Sequence, residues 1–257
     1  MIRFASLGSG SQGNCLVVEA GRTRVLLDCG FSPRETGRRL ARLGLEPSNL
    51  AAIVVTHEHD DHVGHACTVS AQLGIPVWMT RGTARAIEEA GRTLGDAQVR
   101  FIEDRAAFAI GELEVQPYTV PHDAREPVQF VFGDGASRLG VLTDIGAPTR
   151  HVETVLSGCD ALVLECNHDL ELLRSGAYPR WLKARVAGDW GHLNNAQAGA
   201  LLAAIDRARL KHVVAAHLSQ QNNRPELARR ALAAAMGCAE DWVGVATQED
   251  GFDWREA

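Results

Sequence analysis

Short apolar runs rich in β-branched residues alternate along the chain with stretches whose apolar positions recur every three to four residues. In the first half the runs cover 2–7, 15–19, 23–28, 51–55 and 75–79 and predict strands. Ala20-Gly21-Arg22 joins the second and third as a hairpin, whereas Gly8 to Asn14 is too rich in glycine and small polar residues for helix. Helical spacing fills 33–43, where Pro33 opens the helix and Leu40, Leu43 and Leu45 oppose Arg34, Arg38, Arg39 and Arg42. It returns at 63–73 and 83–91. From 98 to 120 and 127 to 143 the pattern turns to strands and hairpins. Helix 149–156, strand 161–164, helix 194–208, strand 212–216, helix 225–236 and a last apolar strand at 242–246 follow. This order predicts an α/β fold with two layers of strands and helices outside each, in two similar halves of one domain spanning 1–257.

One stretch concentrates the chemistry. Thr56-His57-Glu58-His59-Asp60-Asp61-His62 follows the run at 51–55 and packs imidazoles and carboxylates together. On an extended segment His57 and His59 point the same way, while Asp61 and His62 are expected to start the next helix and turn back toward them. That geometry can hold two metal ions, and imidazole with carboxylate suits zinc, manganese or iron. A solvated charged loop is the plain alternative, but carboxylates this dense repel one another unless a cation neutralises them.

Composition narrows the partners. The 257 residues, 46% hydrophobic, can bury a full core. A net charge of -6 announces no polyanion binding, so nucleic acid would have to meet a local patch. Arg174, Arg180, Lys183 and Arg185, and beyond residue 217 Arg224, Arg229 and Arg230, are the candidates for one. The six cysteines form no CxxC pair and several sit in apolar runs, which reads as buried reduced thiols of a cytoplasmic protein. The N-terminal residues read as neither export signal nor membrane span.

A family likeness joins these residues. Asp28 at a strand end, His57-x-His59-x-Asp61-His62, His122 after Val120-Pro121, Asp144 in Leu142-Thr143-Asp144 and His217 in Ala215-Ala216-His217 resemble, in order, the five motifs of the metallo-β-lactamase superfamily. The resemblance implies an αββα sandwich in which His57, His59 and His122 hold one divalent ion and Asp61, His62 and His217 another. Asp144 would bridge them, with Asp28 supporting the ligands from behind. Two such ions roughly 3.5–4 Å apart can activate water and clamp both oxygens of a phosphoryl displacement.

Within that superfamily, Ser6 to Cys15, Leu164 to Asp169, Gly191 to Asn195 and His217 to Asn223 are similar to the YycJ-type (WalJ) exonucleases. The likeness implies a 5′-to-3′ exonuclease on DNA, loaded with zinc or manganese, iron also being suitable. Asp61 and His192 would be catalytic, His192 binding the phosphate or protonating the leaving oxygen. Ser11, Asn14, Asn167, His168, Asn195 and Ser219 would contact substrate. Two positions depart from the pattern: His65 stands where the superfamily has glycine, and Asn194 where the branch has serine. No long insertion between Asp144 and His192 supplies a β-CASP domain or a tRNA-clamping arm. Hydrolysis of a small cyclic or phosphorylated metabolite is the rival activity, and a metal-binding scaffold without catalysis the non-enzymatic one.

Overall fold

The central parallel strands Ala52–Val54, Ala161–Glu165 and His212–Ala216 are buried on both faces, which is why each reads as an apolar run. A computed structural model describes residues 1–103 and 106–257; Asp104 and Arg105, within a stretch expected to be strands and hairpins, lie outside the described residues. The first half comprises β1 (Ile2–Gly8), β2 (Cys15–Ala20), β3 (Thr23–Leu27), α1 (Pro33–Arg42), β4 (Ala52–Val54), α2 (Ala66–Leu73), β5 (Pro76–Met79), α3 (Arg81–Glu89) and β6 (Gln98–Phe101). The second comprises β7 (Phe108–Ile110), β8 (Leu113–Thr119), β9 (Val128–Gly133), β10 (Arg138–Leu142), α4 (Arg150–Leu156), β11 (Ala161–Glu165), α5 (Leu170–Ser175), α6 (Arg180–Val186), α7 (Asn195–Ala204), β12 (His212–Ala216), α8 (Pro225–Met236) and β13 (Gly244–Val245). The chain then crosses back to the first sheet as β14 (Phe252–Glu256), antiparallel to β1.

One sheet has the order β14-β1-β2-β3-β4-β5-β6 and the other β13-β12-β11-β10-β9-β8-β7. Each begins with antiparallel hairpins and ends in parallel strands, β3 to β6 and β10 to β13. Side-chain alternation divides the central parallel strands between two cores. Val54, Val163 and Val214 face inward and meet Phe4, Phe130 and Phe132 between the sheets. Ile53 and Val77 face outward against Leu40, Val69 and Ile87 of the first helices. Leu162 and Val213 face outward against Val152, Leu202 and Leu232 of α4, α7 and α8. The αββα expectation therefore holds, with a core between the sheets and one beneath each helical layer.

Several expected elements shift. The segment 60–64 is a turn and α2 starts only at Ala66. The turn's carbonyls are taken by other segments: Asp61 O accepts the Asn14 N–H at 2.7 Å and His62 O the Cys29 N–H at 2.8 Å, so no helix can use them. Gly64 sits at φ 23° where a Cβ would meet Asp60 O and the Gly30 Cα, both at 2.8 Å. Gly30 is equally confined, its Cβ position lying 2.1 Å from Asp61 O. Further on, β6 pairs in parallel with β5 rather than entering a hairpin, and α7 stops at Ala204. The short helices α5 and α6 and the edge strand β14 carry too little apolar patterning to have been read from the sequence.

Candidate metal centre and active site

The candidate ligands occupy the carboxyl ends of parallel strands or of the antiparallel strand beside them, where open α/β sheets place their sites. Asp28 follows β3, His57 follows β4, His122 follows β8, Asp144 follows β10 and His217 follows β12. Asp28, Asp144 and His217 are the non-glycine residues with positive φ among the described residues, at 60°, 54° and 54°. Left-handed backbone at such residues is costly, and three instances at the ends of β3, β10 and β12 mark where the fold holds strain for a site.

Three ligand atoms each from His57, His59 and His122, from Asp61, His62 and His217, and from His57, His62 and Asp144 converge within 4.8 Å of one another. The two groups inferred from family likeness thus assemble, with Asp144 reaching between them: its carboxylate lies 2.9 Å from His62 Nε2, 3.6 Å from His217 Nε2 and 3.9 Å from His122 Nε2. His57, His62, His122, Asp144 and His217 are buried.

The outer ring nitrogens are fixed by the protein, which leaves the inner ones as lone pairs. His62 Nδ1 donates to Asp28 at 2.8 Å and His122 Nδ1 to the Gly191 carbonyl at 3.1 Å. His57 Nδ1 meets Thr56 Oγ1 at 2.9 Å, and that hydroxyl and the Thr56 N–H both donate to Asp28. His57 Nε2 and Asp144 Oδ2 are left buried without a hydrogen-bond partner, the latter because its approach to His62 lacks hydrogen-bond alignment. Orphaned inner atoms on nitrogen and oxygen donors fit divalent cations of the zinc or manganese type.

Electrostatics agree. Burial lowers the pKa of His57 well below its usual value, aided by His62, and keeps it neutral. Burial also opposes charge on His62 and His217, but the carboxylates of Asp144 and Asp61 outweigh it, raising His62 and pushing His217 up to about 10. Asp61 and Asp144 are held well below the carboxylate range by these imidazoles despite their burial. A field that strong calls for positive charge, and a divalent ion supplies it with the imidazoles neutral.

A cavity of about 180 Å³ opens beside the cluster, walled by Asp61, Asp144, His192 and His217 and by Leu182 and Arg185 of α6. His192 is a fifth of its surface exposed there, and its ring nitrogen converges with ligand atoms of Asp144, Glu165 and His217 rather than with those of His57, His59 and His122. Its Nδ1 lies 2.7 Å from Glu165 Oε1. Burial disfavours charge on His192, yet the Glu165 carboxylate raises its pKa overall, while burial of Glu165 is outweighed by His192 and leaves it at about 2.

Glu165 lies in the Leu164–Asp169 segment of the likeness but was assigned no role there, although it ends the apolar run of β11 as Asp28 and Asp144 end or follow theirs. Asp123 was missed too; it lines the cavity and pairs with Arg185 at 2.6 Å.

The six expected substrate contacts separate. Ser11 lines the cavity. The Asn14 amide instead reaches Asp61 Oδ2 at 3.2 Å and His62 Nε2 at 3.1 Å, and the Asn167 amide holds His217 through its carbonyl at 3.1 Å. Asn195 is buried with its amide paired to Asn223, both bonds at 2.9 Å, and His168 is fully buried with both ring nitrogens unpaired. Ser219 caps the Asn222 N–H beside a neighbouring cavity of about 290 Å³. Thus Asn14 and Asn167 hold candidate ligands, Asn195 and His168 are packed inside the protein, and Ser219 borders the second cavity.

His65 is exposed at the start of α2 and joins no ligand cluster among the described residues. Asn194, in place of serine, caps α7 by accepting the Gln197 N–H at 2.9 Å. Of the anticipated cations, Arg185 reaches the cavity wall, whereas Arg229 and Arg230 bond Val243 and Glu240 at the far end of α8.

Residues 23–218 match the Beta-lactamase superfamily domain, so the chain belongs to this family of metallo-β-lactamase-fold hydrolases. It is 33% identical over 91% of its length to the exodeoxyribonuclease YycJ of Bacillus anthracis, covering 89% of that protein. It is 30% identical over 95% of its length to the exodeoxyribonuclease WalJ of Streptococcus pneumoniae, covering 91% of it. The metallo-β-lactamase fold protein YhfI of Bacillus subtilis superposes over 100% of both chains with a TM-score of 0.74 at 15% identity. The chain is an enzyme of the hydrolase class, as its motifs implied. Among the described residues, no helix is long and apolar enough to cross a membrane.

Proposed function

We propose that the protein is a phosphodiesterase dependent on two divalent ions, zinc or manganese, that degrades DNA from its 5′ end. The observation that carries the reading is the convergence of five imidazoles and two carboxylates on one cavity whose remaining histidine, His192, is held by a buried glutamate. Two exodeoxyribonuclease relatives spanning nearly the whole chain support the DNA substrate. His57, His59 and His122 and Asp61, His62 and His217, with Asp144 between them, would hold the ions, which would supply Lewis-acid stabilisation and water activation there.

The chain's own residues do the rest. Asp28 and Thr56 fix the tautomers of His62 and His57. Asn14 orients the Asp61 carboxylate. His192, biased toward its protonated form by Glu165, delivers a proton from its other ring nitrogen, Nε2, to the leaving oxygen. The shared core between the sheets supports one domain over residues 1–257, and six free cysteines suit the cytoplasm.

The test is cleavage of 5′-labelled and 3′-labelled DNA strands by chelated protein reconstituted with single metals, at rising salt. Metal-restored release of 5′ mononucleotides, falling steeply with salt, is expected. Hydrolysis of a small cyclic diester with no action on strands would favour the metabolite reading, and full activity after complete chelation would defeat both.

A further inference from the structure

Three carboxylates, those of Asp61, Asp123 and Asp144, line the cavity beside the ligand cluster. Asp61 and Asp144 belong to the candidate ligand groups, whereas Asp123 belongs to none among the described residues. A phosphodiester is an anion, and a spare carboxylate where it binds repels it unless a cation stands between them.

Arg185 is that cation. Among the described residues it is the only lysine or arginine that lines the cavity. Its Nε donates to Asp123 Oδ2 at 2.6 Å, and the other oxygen of that carboxylate lies 3.5 Å from His122 Nε2 and 3.8 Å from His59 Nε2. The guanidinium therefore stands one carboxylate away from the first candidate ligand group. Its Nη1 and Nη2 donate to no protein acceptor among the described residues.

The backbone sets the same side chain beside the candidate acid. Val186, the next residue, accepts the His192 N–H at 2.8 Å, and the carbonyls of Arg185 and Val186 pack so closely on Gly191 that no Cβ fits there. The Trp190 carbonyl accepts the Asp123 N–H at 3.0 Å and closes the loop after β8 onto that segment. The Arg185 side chain is 57% exposed, and an ion pair so open to water adds little to stability, so bridging alone is a weak reason for it. A guanidinium with Nε fixed by a carboxylate keeps its Nη1 and Nη2 edge free, and two parallel donors on that edge match two oxygens of one phosphate.

We propose that Arg185 holds the non-bridging oxygens of the scissile phosphate through Nη1 and Nη2, with Asp123 as the positioning residue that aims the guanidinium. The proposal rests on the phosphodiesterase reading and deepens it by naming the side chain that binds the phosphate being cut. Such a contact serves every phosphodiester alike, whereas a cation that tracks a strand along the surface serves DNA alone.

The experiment compares metal-loaded wild type with Arg185→Gln, Arg185→Lys, Asp123→Asn and the double variant Arg185→Gln with Asp123→Asn. Kinetics on bis(p-nitrophenyl) phosphate and on a blunt DNA duplex are joined by competitive inhibition with inorganic phosphate, elemental analysis and melting. Arg185→Gln is expected to lower kcat/KM about 10- to 150-fold on both substrates, the range for losing hydrogen bonds to a charged group. It should weaken phosphate inhibition as well, with metal content and melting unchanged. Lysine keeps the charge but not the fork and should recover only part of the loss. Asp123→Asn should cost less than Arg185→Gln and add nothing in the double variant, a non-additivity that a separate structural role would not produce. A loss confined to the duplex, full recovery by lysine, or a loss that follows missing metal would overturn the assignment while leaving phosphodiester hydrolysis by wild type established. A metal-loaded wild type that hydrolyses neither substrate would overturn the phosphodiesterase reading and the assignment with it.

Discussion

Glu165 and His192 are joined by a 2.7 Å contact from carboxylate to ring nitrogen, and the same buried carboxylate also accepts the backbone N–H groups of Asp144 and Ile145 at 3.1 Å and Leu193 at 3.0 Å. One side chain thereby ties the loop bearing the candidate bridging ligand to the loop bearing the candidate acid. Glu165→Gln keeps the shape but removes the charge that orients and protonates His192, so turnover should fall about 10- to 100-fold with metal content unchanged. Glu165→Ala should in addition lower the melting temperature, because each buried N–H left without an acceptor costs about 1–3 kcal/mol. Kinetics, melting and elemental analysis on the two variants check this; wild-type turnover in Glu165→Gln would remove the pair from the mechanism.

His192→Ala should retain metal, because His57, His59 and His122 and Asp61, His62 and His217 form two candidate groups that are complete without it. On a diester with an alkoxide leaving group the loss should reach about 10²- to 10⁴-fold, the usual worth of general-acid help. A nitrophenyl diester, whose leaving group needs little protonation, should lose much less. Equal losses on the two substrates, or loss of metal, would count against the assignment.

Asp144→Ala should reduce bound metal and abolish turnover, since its carboxylate lies within 4 Å of ring nitrogens in both candidate groups. Chelation of the wild-type protein should lower its melting temperature and re-addition of metal restore it, by mass action on the folded state. Asp28→Asn is the companion test: asparagine tolerates the positive φ of this position but removes the carboxylate that His62 faces. Metal affinity or activity should fall about 10- to 100-fold without loss of fold. Elemental analysis and circular dichroism separate the cases.

On α1, Glu35 pairs with Arg38 and Arg39, both at 2.6 Å, and these arginines hold its carboxyl down at about 2. A depressed folded-state pKa stabilises the protein above the unfolded value, and that stabilisation disappears as pH falls through the folded one. Glu35→Gln should therefore lower the denaturation midpoint at pH 7. The difference from wild type should shrink between about pH 4.5 and pH 2, the interval between the unfolded carboxylate and the folded one. A difference that persists at pH 2 would point to packing rather than charge.

The sequence disclosed those parts of the molecule whose physics is local. Doubly buried strands such as Ala161–Glu165 and His212–Ala216 read as apolar runs, and α8 runs from Pro225 to Met236 as its spacing implied. The strand Phe252–Glu256 escaped because an edge strand rich in charge shows no apolar run, and α6 because it buries none of its residues. In the site, the histidine-rich turn was legible as one contiguous motif. Asn195 and Ser219 show the limit of motif reading: a short polar residue beside a strand end serves packing or substrate according to the side it faces, which only tertiary contacts decide. Glu165 was hidden by the opposite effect, a carboxylate so deep that it reads as the end of a core strand.

The loop between β1 and β2 has a consequence for how the chain matures. Its Gln12 N–H and Gly13 carbonyl are both held by the side chain of Gln248, 236 and 235 positions away, and its Ser9 hydroxyl accepts the His217 N–H. β1 itself lies between β2 and β14, so it is paired on both edges only once Phe252–Glu256 has been made. Contacts this distant in sequence form late. During translation the His57–His62 turn emerges long before the segment that clamps Asn14 against it, so the site's assembly waits for Gln248, and a chain cut short before Gln248 would carry the metal-seeking turn without its clamp.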